Sequence, residues 1–263
     1  AGAALGWLVG GVLRVRRREV EGRLARAGVA DPARTAGAMY ASLGAGLVEL
    51  LWTVAPGRRP LGDRVRLTER AERALASLGG RGAIVATAHT GNWDLIACAV
   101  ASRVPLRVVS KRLRVGWLDA LWQGLRRRRG VIIVDATAAV AAAREASGQG
   151  GLVAMIIDQA PERRHGVMRA PFLGLEAWHD LAPALVAARL GLPLLLALGH
   201  RCPDGRHEVD VPLCMEPPDK AARPWAERAT RELVVALEAH VRAWPAQWLW
   251  LHRRWKPLAP RQG

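Results

Sequence analysis

Between residues 69 and 157 the chain alternates short apolar runs with segments of helical period, and this alternation restricts the fold more than any other feature. A helix over 69–78 stops at Gly79 and Gly80. Strands follow at 83–88, 106–110, 131–134 and 152–157, with helices near 93–102, 117–128 and 137–147 between them. Nearly continuous apolar runs suit strands covered on both faces, and strands joined through helices lie parallel. The pattern continues through a helix near 181–190, strands at 193–199 and 206–211, and a long helix near 225–243. The expectation is an α/β fold, a central and mostly parallel sheet flanked by helices. At 263 residues and 51% hydrophobic, the chain can bury such a core.

The first 52 residues read differently. An uncharged stretch, AGAALGWLVGGVL (1–13), is followed by the basic run RVRRR. Asp31 then stands as N-cap and Pro32 at the first position of a second apolar helix that runs to Trp52. The first stretch falls short of the roughly 20 residues that span a bilayer. Its positive charges come after the apolar run, the wrong order for a secretory signal. An interfacial or anchoring helix with basic residues on the cytoplasmic side fits that order, and an ordinary buried helix is the competing reading. The division expected is an N-terminal membrane-associating helical segment over 1–52 and an α/β domain over 53–263, opening on a Pro- and Gly-rich connector.

Charge narrows the partners. The 39 Lys and Arg against 23 Asp and Glu leave +16, mostly arginine and spread along the chain. Such a surface seeks anions: nucleic acid, anionic lipid or an acidic carrier protein. A GC-rich coding sequence also raises Arg, Ala and Gly without any function. Eleven Trp against one Tyr and one Phe favour a membrane interface over base stacking, so a membrane surface and not nucleic acid is the partner expected. The three cysteines, Cys98, Cys202 and Cys214, have no metal-ligand spacing and imply a reducing compartment.

The stretch AHTGNWD (88–94) follows the 83–88 strand directly. Ligands of open α/β sheets gather at the carboxyl ends of strands, so His89 lies where chemistry is expected. Gly91 permits a tight turn, and Asp94 falls in or near the first turn of the next helix, spaced to fold back toward the imidazole. A carboxylate on one ring nitrogen fixes the tautomer and leaves the other nitrogen to take a proton. Thr90 is the nearest hydroxyl, but nothing resembles a nucleophile elbow. The simplest chemistry is a general base acting on a hydroxyl of the substrate. A metal would need a third ligand that no second cluster supplies, so neither metal nor cofactor is expected. A purely structural His and Asp is the plainer alternative.

These residues carry a resemblance. HTGNWD resembles the H-x4-D/E motif of glycerolipid acyltransferases, and its Gly-Asn-Trp filling is similar to that of the lipid A biosynthesis acyltransferases, the late lauroyl and myristoyl transferases. Three further blocks follow in the family's order. VVSKRLRVGWLDAL (108–121) resembles its basic second block, GLVAMIIDQAPERRHGVMRAPFLG (151–174) its Asp-Gln segment and following turn, and QWLWLHRRWKP (247–257) its closing Trp-x-His-Arg-Arg segment.

The resemblance implies a glycerolipid acyltransferase-like fold. It also implies transfer of a fatty acyl chain, without a covalent intermediate, from a thioester on acyl carrier protein or coenzyme A. The acceptor would be a lipid A precursor hydroxyl at the cytoplasmic face of the bacterial inner membrane, and the enzyme a monomer. His89 would be the general base and Asp94 its orienter. Backbone donors around Gly91 and Asn92 would meet the oxyanion, and Lys111 and Arg112 would bind a phosphate of the acceptor or of the pantetheine arm. Asp158 ends a strand as His89 does, and would order basic residues or acceptor, or merely cap a turn before Pro161. Arg253 and Arg254, beside His252, Trp250 and Trp255, would form a head-group site or a packed C-terminal segment. Two departures bear on the acceptor. Lys111 and Val115-Gly116 stand where the family has Arg and Asn-Pro, and AWHDLAP (177–183) stands where it has small hydroxyl residues and Gly-Pro. A phosphatidylinositol mannoside or lysophospholipid acceptor is the alternative, and a non-catalytic basic lipid-binding protein is the reading from another class.

Overall fold

The computed structural model describes residues 2–53, 61–111, 115–219 and 222–258. Its elements are, in order, α1 (Gly2–Trp7), a π-helical turn (Leu8–Val12), α2 (Arg17–Arg26), α3 (Pro32–Thr53), β1 (Val65–Leu67), α4 (Glu69–Ser77), β2 (Ala83–Thr87), α5 (Trp93–Ala101), β3 (Leu106–Val109), α6 (Gly116–Arg128) and β4 (Ile132–Val134). Then come α7 (Ala139–Gly148), β5 (Leu152–Ile156), β6 (Val167–Phe172), β7 (Leu175–Asp180), α8 (Ala182–Leu190), β8 (Leu194–Arg201), β9 (His207–Met215) and α9 (Ala222–Ala243).

Seven strands form one sheet in the order β1-β9-β8-β2-β5-β3-β4. The run from β8 to β4 is parallel, β9 is antiparallel to β8, and β1 joins β9 in parallel at the edge. The central strands are apolar throughout because both faces are covered. Ile84, Ala86, Val153, Met155, Leu194 and Leu196 enter one core, while Ala83, Val85, Leu152, Ala154 and Leu195 enter the other. This is the mostly parallel, helix-flanked α/β fold that the alternation of apolar runs implies.

Two features depart from the sequence reading. β1 lies within the stretch read as a connector, three residues paired only to β9. The β6–β7 hairpin forms a separate two-stranded sheet, where no strand is predicted. Its turn depends on Leu173 and Gly174, both at positive φ.

The N-terminal helices pack through small residues. Gly2, Gly6 and Gly10 fall on one face of α1 and its π-helical turn. A Cβ at Gly6 would overlap the Tyr40 carbonyl, and one at Gly2 would overlap Ala45. Small residues at this spacing let apolar helices approach closely. The outer side exposes Leu5, Trp7, Leu8, Val12 and Leu13. Among the described residues no helix is long and apolar enough to cross a membrane.

Candidate active site

β2 and β5 pair in parallel with Ala83 opposite Leu152 and Thr87 opposite Ile156. Carried two residues past the ladder, the same register sets His89 beside Asp158. The His89 ring Nδ1 lies 3.0 Å from Asp158 Oδ1, and the His89 backbone N–H donates to Oδ2 at 2.9 Å. Trp248 Nε1–H donates to the same Oδ2 at 2.8 Å. Asp158 is fully buried. Burial alone would raise its carboxyl, but the charge and hydrogen bonds of His89, together with His252, outweigh burial and hold it down to about 2. An ionised Asp158 fixes the Nδ1–H tautomer of His89 and leaves Nε2 as the nitrogen without a protein partner among the described residues.

Asp94, the carboxylate that the four-residue spacing offers to His89, is turned elsewhere. It is buried and accepts from Arg126 Nε of α6 at 2.6 Å. Burial pushes its carboxyl upward, against the pull of that guanidinium. The geometric reason is direction: Asp94 sits in the first turn of α5, whose inner side faces α6, while the register of the sheet brings a carboxylate to His89 from β5.

Two of the four residues between them are also committed. Gly91 has φ +57, and a Cβ there would come within 2.9 Å of the Gly199 carbonyl, so only glycine fits against β8. Its N–H donates to Gln247 O at 2.8 Å and is therefore not free for an oxyanion. Asn92 caps α5 by accepting from Leu95 N, and its Nδ2 donates to Gly46 O and to Glu49 Oε2 at 2.8 Å. Glu49 also receives His207 Nε2 at 3.0 Å and the Arg201 guanidinium. This half-buried carboxylate thus ties α3 both to the active-site turn and to the β8–β9 edge. Burial would raise it, but these donors, His207 first, bring it below its ordinary range.

The C-terminal segment closes the site. Thr90 and Trp248 form an antiparallel bridge, and Leu249 N–H donates to His89 O at 3.1 Å. The His252 ring lies 4.6 Å from that of His89, with its Nε2 3.4 Å from Gln159 Nε2. Arg254 does not reach a head-group site. It is buried, donates to Trp178 O at 2.6 Å, lies 2.7 Å from His179 Nδ1 and covers the Phe172 ring. The departure at 177–183 is likewise structural: His179 is in the core, and Asp180 caps α8 and pairs with Arg163. Arg253 is exposed. Lys111 is exposed at the end of β3 and pairs with Glu162 at 3.0 Å, and Arg112 lies outside the described residues. Cavities of about 540 and 550 Å³ are lined by α2–α3, α9 and β6 residues and include none of His89, Asp158 or His252.

The sequence reading leaves Trp248 and Arg126 out of the site. A lone carboxylate inside the apolar WDLIACAVA helix is a signal that some cation must meet it. Which of the four consecutive arginines does so is not visible before α6 is placed.

Buried neutral histidines make the fold acid-sensitive. Burial, then the Arg254 charge, pushes His179 down to about 3, and burial chiefly pushes His240 and His252 down to about 4. Below about 6.5 the unfolded chain binds protons that the folded chain refuses, so stability falls as pH drops from about 6.5 toward 4. The slope is ~1.4 kcal/mol per pH unit for each such histidine. Melting temperature is expected to decline steadily from pH 7 to 5. A flat profile would contradict the neutral assignment.

Chemically, the arrangement is an imidazole held by a buried carboxylate at the carboxyl edge of the sheet. Thr90 is no competitor as nucleophile: it is 2% exposed and its hydroxyl accepts from Gly199 N. Such a pair suits proton removal from an incoming hydroxyl. A search of curated proteins finds no match. Among solved structures, the 1-acyl-sn-glycerophosphate acyltransferase PlsC from Thermotoga maritima is similar at 13% identity and a TM-score of 0.43, over 92% of this chain and 96% of that one. A sequence model of the bacterial lipid A biosynthesis acyltransferase family matches residues 1–257, which takes in all four blocks and every residue placed around His89. On that match the chain belongs to the bacterial lipid A biosynthesis acyltransferases and is an acyltransferase acting on lipid substrates.

Proposed function

We propose that the chain moves a fatty acyl group from a thioester donor, acyl carrier protein or coenzyme A, to a hydroxyl of a lipid A precursor at the cytoplasmic face of the inner membrane. The observation that carries this reading is the His89–Asp158 pair, with Nε2 left over at the edge where open α/β sheets bind ligands. The acceptor hydroxyl attacks the thioester carbonyl while His89 Nε2 takes its proton. The tetrahedral intermediate then collapses, the C–S bond breaks, and the imidazolium returns the proton to the departing thiolate. Asp158 stabilises the imidazolium between the two transfers. Lys111, Arg112 and Arg253 are the cations for phosphate groups of the acceptor or the pantetheine arm.

Family membership supports a lipid acceptor, and the apolar outer side of α1 supports work at a membrane surface. The N-terminal helices are the membrane-associating part of this reading, and the chain acts as a monomer. The test offers purified protein acyl carrier protein or coenzyme A thioesters, with a lipid A precursor, a phosphatidylinositol mannoside or a lysophospholipid in vesicles, and reads products by mass spectrometry. A product one acyl chain heavier is expected with the lipid A precursor. Product with another acceptor alone would replace that acceptor, and none from folded protein with any acceptor would overturn the reading.

A further inference from the structure

Helix α6 carries an exposed apolar face that the chemistry around His89 does not use. Trp117 is 72% exposed, with Leu121 at 49% and Val115 at 46%. Trp117 and Leu121 are four residues apart and share one side of the helix. The opposite side is packed, with Gln123 buried and Arg126 reaching Asp94, and Leu125, one turn beyond Leu121 on the apolar side, is already buried, so the exposed patch is confined to the first two turns.

The topology fixes where that exposed face lies. The end of α6 is near the end of α5, since a Cβ at Gly130 would sit 3.6 Å from Ala101 O, and the chain then enters β4. α6 therefore runs from the carboxyl edge of the sheet back to its amino edge. Its 13 residues extend about 20 Å, whereas the three or four residues of β3 and β4 cover only about 10–13 Å. The first two turns, with Trp117 and Leu121, consequently project past the carboxyl ends, at the edge that holds His89. Across α5 stand the last two turns of α3, tied there by Glu49 to Asn92, and they expose Val48 and Leu51. Two apolar helix ends thus flank α5, beside a chain of formal charge +16 with an exposed Lys111.

We propose that the first two turns of α6 are a bilayer contact which, with the end of α3, seats the carboxyl edge on an anionic membrane. This inference rests on the membrane-surface reading above and adds a site to it. A solvent-exposed tryptophan paired with leucine suits the head-group level. The positive charge of the chain suits anionic lipid in preference to a neutral protein surface. With helices on both sides of α5 immersed, His89 faces lipid hydroxyls at the interface without their leaving the membrane.

The test compares wild type with Trp117→Ser/Leu121→Ser, using vesicles of phosphatidylethanolamine and phosphatidylglycerol. Vesicle binding is expected to weaken about tenfold or more in the double variant, and Trp117→Phe/Leu121→Phe is expected to keep it. In a second measurement, Trp117→Cys in a Cys202→Ser/Cys214→Ser background carries an environment-sensitive dye, whose emission should shift to the blue and be quenched by brominated lipids on vesicle binding. If wild type binds vesicles while the double serine variant binds equally well, or the dye stays in a watery environment, the α6 contact is overturned and the membrane reading stands. If wild type itself stays in solution, both fall. Loss of a dimer on gel filtration with unchanged vesicle binding would instead make this face a contact between copies and overturn the proposal.

Discussion

Replacing His89 with alanine is expected to lower acyl transfer by ~10²- to 10⁴-fold while leaving the protein folded. The loss is large because no other side chain can take over the proton. His252 lies 4.6 Å away ring to ring, but burial and the neighbouring His89 push it down to about 4, so it is a weak base at neutral pH. The fold is expected to tolerate the change because the His89 side chain is 15% exposed and its neighbours are held independently. Trp248 keeps its bond to Asp158, and the bridge between Thr90 and Trp248 involves backbone only. Turnover per folded molecule, with the melting temperature measured alongside, checks the result. Near-wild-type turnover in a folded His89→Ala protein would remove the imidazole from the mechanism. Trapping acyl label on Thr90 or on any serine or cysteine would replace direct transfer by a covalent path.

The second large effect separates two carboxylates that local spacing alone does not distinguish. Asp158→Asn is expected to cost on the order of 10³- to 10⁴-fold in turnover, as an amide in place of a histidine-orienting carboxylate stabilises the wrong tautomer and no imidazolium. It also removes a depressed carboxylate. Held at about 2, Asp158 contributes stability that is present above its ordinary 3.8 and lost as pH falls from there toward 2. Asp94→Asn is expected to behave in the opposite way. Removing one charge of a buried pair typically costs ~3–5 kcal/mol, and Asn at the same place keeps part of the hydrogen bonding, so the lower end applies. Melting temperature should fall while turnover per folded molecule stays within about tenfold of wild type. The comparison is made at one pH near 7 on both variants. A thermally normal Asp94→Asn that has lost its turnover would return the orienting role to Asp94.

The reason the sequence points to Asp94 is instructive. A motif is read along the chain, and four residues is a distance the backbone can fold back over. His89 and Asp158 are 69 residues apart, and what joins them is the pairing of β2 with β5. That pairing depends on strand order, because β3 and β4 come between these two strands in the chain but not in the sheet. The strands themselves are plain in the sequence because covered parallel strands are apolar on both faces, as in 83–88 and 152–157. The β6–β7 hairpin is not, since VMRAPF and LEAWHD mix charge, proline and apolar residues, and their partners are contributed from outside the hairpin by Arg254, Trp248 and Trp255. The role of Arg254 is hidden for the same reason. Two adjacent arginines in LHRRW look alike on paper, yet Arg253 is exposed and Arg254 is among the most buried side chains of the protein.

The bond from Trp248 to Asp158 also sets an order of events during synthesis. His89 leaves the ribosome long before its partners, and Asp158 follows, yet the indole that satisfies the second carboxylate oxygen and the backbone that bridges Thr90 are made 90 residues later still. At ~5–20 residues per second that is a wait on the order of ten seconds. Throughout that time His89 stands without the segment that closes over it. A nascent chain halted before Trp248 would carry every strand of the sheet and an unfinished site, so competence waits on a segment made after the whole sheet.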